Sequence, residues 1–113
     1  MSNRDLRPSG DLLTLDVDDD GDSVVIRASG ELEISTTATL DRELQKALDG
    51  KASTVTLDLS DLSFVDSTGL RLLINAASHA RANGTRLRMR DGSQAVKRAL
   101  EVTGLDRSLP FID

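Results

Sequence analysis

The stretch TVTLDLSDLSFVDSTGLRLLINAA, residues 54–77, changes its repeat part-way along, and that change decides the fold. Val55, Leu57 and Leu59 alternate with Thr54, Thr56 and Asp58, so an extended chain there has one apolar and one polar face. Past Asp66 the period becomes helical: Leu70, Leu73, Ile74 and Ala77 recur at i, i+3, i+4 and i+7, and Asn83-Gly84 ends the run. Leu87 and Met89, flanked by Arg86, Arg88 and Arg90, then supply another strand. Strand, helix and strand form a βαβ unit, which is expected to be parallel with a right-handed crossover. Because its strands alternate in polarity, helices are expected on only one face of the sheet.

Upstream, residues 13–17 alternate apolar with polar, and Val24, Ile26 and Ala28 repeat the pattern after an Asp/Gly cluster at 18–22, which reads as a hairpin. Gly30 is expected to break its second strand. Leu40, Leu44, Ala47 and Leu48 follow at helical spacing, with Ser35, Thr36 or Thr37 as N-cap and Gly50 as the stop, giving a helix over about residues 37–48. Downstream, Val96, Ala99 and Leu100 mark a third helix closed by Gly104, with Leu105 packing back on it. The expected fold is therefore α/β, two-layered, with a mixed four- or five-stranded sheet and helices on one face. At 113 residues the chain suits one domain. Residues 1–10, polar throughout, read as a flexible N-terminus ahead of a domain at 11–113.

Composition narrows the function classes. A formal net charge of −5 argues against nucleic-acid or anionic-membrane binding, which rests on basic surface. The two aromatic residues, Phe64 and Phe111, leave little for base stacking. The chain has no cysteine, so it lacks disulfides and thiolate metal ligands, and its first residues resemble neither an export signal nor a membrane span; a cytoplasmic location is expected.

Several local patterns invite chemistry that their surroundings do not support. Asp16, Asp18, Asp20 and Gly21 match the opening of an EF-hand loop, but its twelfth position is Arg27 where a bidentate glutamate is needed, so a solvated turn is expected and no metal site. His79 is the one histidine and has no companion ligands; with Ser67 it forms no recognisable triad, and no nucleophile elbow is present, so no catalytic residue is assigned. Arg86, Arg88 and Arg90 read as the solvent side of a strand. Asn83-Gly84-Thr85 matches a glycosylation sequon but reads as a helix-ending turn. Between the strand and helix of residues 54–77 lies Asp66-Ser67-Thr68-Gly69, where Ser67 or Asp66 is available to cap the helix.

Strand, Asp-Leu-Ser-x-Leu-x-Phe-x-Asp-Ser-Thr-Gly-Leu over residues 58–70, then helix, resembles the STAS domain of bacterial anti-sigma factor antagonists. Gly30, Glu31, Leu32 and Glu33 resemble that family's Gly-Glu-Leu-Asp turn, and Ala95, Val96, Leu100, Gly104 and Leu105 its last helix and closing turn. The resemblance implies a STAS-like fold and a partner switch: the antagonist binds an anti-sigma factor serine kinase, which frees its sigma factor. The kinase, using its own ATP, phosphorylates the serine matching Ser67, and a phosphatase resets it. No cofactor is implied for this chain. The implied partner-binding residues are Gly30, Glu31, Leu32, Glu33, Asp66, Ser67, Thr68, Gly69 and Leu70, with Asp66 orienting the loop and Gly69 letting the kinase surface approach. Glu33 departs from the family's aspartate and Thr68 from a frequent serine. STAS domains also serve as scaffolds, transport accessories and parts of anion transporters, in which case Ser67 would only cap the helix.

Overall fold

A computed structural model describes residues 3–9, 12–107 and 109–112. Six strands, β1 (Asn3–Ser9), β2 (Leu13–Asp19), β3 (Ser23–Leu32), β4 (Thr54–Val65), β5 (Arg86–Arg90) and β6 (Phe111–Ile112), lie side by side in chain order. The β1–β2 and β2–β3 pairs are antiparallel; the β3–β4, β4–β5 and β5–β6 pairs are parallel. Each parallel step is bridged by a helix: α1 (Thr37–Asp49), α2 (Ser67–Asn83) and α3 (Gln94–Thr103). This is the mixed, two-layer arrangement expected, with β2–β5 as its four central strands and two edge additions. One is the two-residue β6. The other is β1, which uses most of the segment expected as a flexible terminus; its polar composition carries no alternation from which a strand could be read. Residues 1, 2 and 10 of that expectation lie outside the described residues.

The apolar face is organised in rows across the strands. Val17, Ile26, Leu57 and Met89 stand in register, as do Val24, Val55 and Leu87, and all join one cluster with Leu40, Leu44, Leu48, Leu73, Val96 and Leu100 of the helices. The opposite face carries a row of alternating charge in which Asp16 faces Arg27, Arg27 faces Asp58, and Asp58 faces Arg90. Asp58 Oδ2 lies 3.9 Å from both Arg27 Nε and Arg90 Nη1, while its Oδ1 accepts from Ser60 N at 3.0 Å and Ser60 Oγ at 2.7 Å. Opposite charges on neighbouring strands favour this register, and a slip by one residue would put like with unlike faces. Arg86, Arg88 and Arg90 are exposed, as their alternation implied.

Gly30 does not end β3. The strand runs on to Leu32, pairing Ser29 with Asp61, Gly30 with Leu62, Glu31 with Phe64 and Leu32 with Val65, with register shifts that leave β4 two extra residues. These bulges turn Leu59, Leu62 and Val65, spaced by three, all into the core. At Gly30, φ is +108° and an added Cβ would collide with Leu12 O, so only glycine fits. At the far end of the helices, His79 Nε2 meets Asp49 Oδ1 at 2.7 Å and Asn83 Nδ2 donates to Asp49 Oδ1 at 3.1 Å and Leu48 O at 3.2 Å, tying the ends of α1 and α2 together. The His79 hydrogen bond, followed by that of Asn83, holds the Asp49 carboxyl below its ordinary value.

Asp58→Ala removes both ion pairs and the Ser60 hydrogen bonds from the polar face. A loss of about 1–2 kcal/mol is expected from urea unfolding, and an unchanged midpoint would show that the charged row contributes nothing.

Candidate functional site

The bulged end of β4 delivers Asp66 to the point where β3 ends and α2 begins. Its backbone N–H donates to Leu32 O at 3.1 Å, and its extended backbone makes it the N-cap of α2. Asp66 Oδ1 accepts from Gly69 N at 3.0 Å and from the Thr68 hydroxyl at 2.5 Å, while Oδ2 accepts from Ile34 N at 3.1 Å in the β3–α1 loop. One carboxylate thus closes the first turn of α2 and holds the facing loop. Burial pushes this carboxyl up, but the Thr68 hydroxyl and the N–H groups of Gly69, Ile34 and Thr68 outweigh it and hold Asp66 below its ordinary value.

Of the two capping candidates, Asp66 takes the role. Ser67 is left as the first residue of α2, exposed, while the Thr68 hydroxyl beside it is committed to Asp66. His79 sits twelve residues further on the same helix, about 18 Å along its axis at the usual rise, and is engaged with Asp49. It cannot act as a base for Ser67.

The facing loop is built on Thr36, which is buried. Its hydroxyl donates to Glu31 O at 2.9 Å and accepts from Glu33 N at 3.0 Å, so the side chain organises the loop and makes no cap bond to α1. Glu33 Oε1 accepts from Ser35 N at 3.0 Å and from the Ser35 hydroxyl, folding the longer carboxylate back on its own loop.

The expected partner-binding residues divide by exposure. Glu31, Glu33 and Thr68 are half-buried and Ser67 is exposed, whereas Leu32 is fully buried and Gly69 and Leu70 are also buried. Gly69 does not serve as an opening for a partner: a Cβ there would lie 2.8 Å from Val65 Cγ2 and 2.9 Å from Leu32 Cγ, so its bareness lets α2 sit against the ends of β3 and β4. Leu32 and Gly69 shape the site from beneath. Sequence reasoning missed two apolar side chains on the surface here, Ile34 at 72% and Phe64 at 47% exposure. Ile34 was detectable as a lone aliphatic in a polar loop without a periodic partner; Phe64 lay hidden in the bulged strand.

A family model described as "Mlab, STAS domain" matches residues 15–112. The chain belongs to the STAS domain family. Among curated relatives of this STAS chain, an anti-sigma F factor antagonist of Paenibacillus polymyxa is 26% identical over 91 residues, covering 80% of the chain and 78% of the relative. An anti-sigma-B factor antagonist of Bacillus subtilis (strain 168) is 25% identical over 93 residues, covering 82% and 84%. The crystal structure of an anti-sigma factor antagonist from Mycobacterium paratuberculosis superposes with a TM-score of 0.80 at 25% identity, covering 93% and 89%.

Two substitutions probe this STAS site. Gly69→Ala is expected to lower stability by about 1–3 kcal/mol through overpacking against Leu32 and Val65, and an unchanged melting temperature would show that the ends of β3 and β4 yield freely. Asp66→Ala is expected to cost roughly 1 kcal/mol at neutral pH as a lost cap. Because the folded carboxyl titrates below 3.8, its contribution is complete above that pH and is lost as pH falls through the lower folded value. The gap between wild type and variant in denaturant titrations should therefore be flat from neutrality down to about pH 4 and narrow below it; a gap that closes near pH 6 would refute this.

Proposed function

We propose that this chain is an anti-sigma factor antagonist: it binds an anti-sigma factor serine kinase so that the kinase releases its sigma factor, and phosphorylation of Ser67 reverses the binding. The observation that carries the reading is the division of labour at the start of α2. Asp66 caps the helix and occupies the Thr68 hydroxyl, so the exposed Ser67 hydroxyl is spared a structural duty. The names of the relatives support the same reading.

In the transfer, Ser67 Oγ bonds to the γ-phosphorus of the kinase's ATP as the bond to the β–γ bridging oxygen breaks; ADP leaves and the hydroxyl proton passes to a base of the kinase. Ser67 is thus a substrate, and the chain itself is not an enzyme. A phosphatase restores the hydroxyl. The net charge of −5 disfavours direct nucleic-acid contact, and among the described residues no helix is long and apolar enough to cross a membrane. A cytoplasmic setting follows from an ATP-using partner.

The contact face comprises Ser67, the half-buried Glu31, Glu33 and Thr68, and the exposed Ile34 and Phe64. A phosphate adds roughly 1.5–2 negative charges beside Asp66. Once apolar side chains have excluded water, that charge meets repulsion from Asp66 and the partner surface and a desolvation cost, together several kcal/mol, and each ~1.4 kcal/mol weakens binding tenfold.

Incubation with the cognate kinase and ATP is expected to add one phosphate, mapped to Ser67 by mass spectrometry. Ser67→Ala should block it yet bind the kinase, and Ser67→Asp should bind at least tenfold more weakly in titration calorimetry. A phosphate on Thr68 alone, or a Ser67→Asp variant with full affinity, would instead favour a constitutive scaffold or transport accessory.

A further inference from the structure

We propose that Arg71 is the intrachain counter-ion of phosphorylated Ser67, its guanidinium closing over the phosphate from one turn further along α2. The inference rests on the reading of Ser67 as phosphoacceptor. Residues four apart on a helix stand one above the other, with Cβ atoms about 5–6 Å apart, and an anion followed by a cation is the favoured order. Ser67 and Arg71 are both exposed and line the same shallow hollow, together with Ile74 and Asn75. Arg71 also borders a second hollow with Asp41 and Thr68, so it stands on the ridge between the two. None of the ion pairs among the described residues engages it.

The neighbouring groups supply no competing cation. The Gly69 amide and the Thr68 hydroxyl both donate to Asp66, a carboxylate that repels a phosphate. Glu33, across the loop, is negative and folded onto Ser35. Arg98 lines a different hollow, with Phe64 and Val65. Arg71 is the cation that shares Ser67's own hollow, and its planar fork can meet two phosphate oxygens at once. The pair lets the backbone at the start of α2 keep its form when phosphorylated, so that the switch acts at the interface with the kinase. It also withdraws a positive side chain from that interface.

Phosphoserine installed at position 67 of the full chain during translation, without a kinase, permits a direct test by phosphorus NMR titration across its second pKa of about 6. In Arg71→Gln that pKa is expected to rise by about half a unit to one unit relative to wild type. Arg71→Lys should fall between, as it keeps the charge and loses the fork, and the difference should shrink at high salt. Identical titrations of wild type and Arg71→Gln would overturn the pairing. Failure of the kinase to label Ser67 would bear on the proposed function alone, because the phosphate here is supplied without it.

Discussion

The Asp66 carboxylate is the constraint on which the site depends. A helix begins with N–H groups that lack partners, and a loop that must stay on the surface has the same difficulty. Asp66 answers both, through Gly69 N and Ile34 N, and its own N–H is anchored to Leu32 O. Without it, the start of α2 would keep its backbone bond to Leu32 O but lose its cap, and the β3–α1 loop would lose the tie from Ile34 N to α2. The serine that follows is presented on a rigid base because the aspartate before it, and not the serine, carries the capping load.

The elements read most readily from sequence are those whose packing follows one uninterrupted repeat. Helix α2 was legible because Leu70, Leu73 and Ala77 recur on its buried face, although Ile74, read with them, is exposed, and β5 because Leu87 and Met89 alternate with arginines. The second half of β4 was not: two bulges convert the period of two into a spacing of three at Leu59, Leu62 and Val65, which matches neither template. Gly30 was misread for a related reason. Its positive φ and close approach to Leu12 are compatible with a strand that bends and continues, and sequence cannot tell that from a stop.

The site was legible in its polar residues and less so in their roles. Aspartate, serine, threonine and glycine at a helix start announce a cap, but which oxygen receives which N–H depends on backbone angles that spacing does not reveal. Thr36 is the clearer case. Two hydroxyl residues precede α1 and a third opens it, and the one that matters for the site faces backward into its own loop instead of forward to the helix. Likewise, the bareness of Gly69 serves the contact with Leu32 and Val65 beneath it, which its place in a polar tetrapeptide does not reveal.

The bulges in β4 also give the site slack in residue count. Asp61, Ser63 and Phe64 are exposed, and Ser63 contributes one hydrogen bond, to Gly30 O at 3.1 Å. Changing their identity leaves the path of the strand intact. Deleting any one of them would let β4 re-zip along β3 with a bulge fewer, so Val65 would stay opposite Leu32 and the residues after it would keep their places. Asp66 would then still reach Leu32 and Ile34, so a frame-preserving loss of one codon in this exposed segment would disturb the site less than the same loss where no bulge can absorb it.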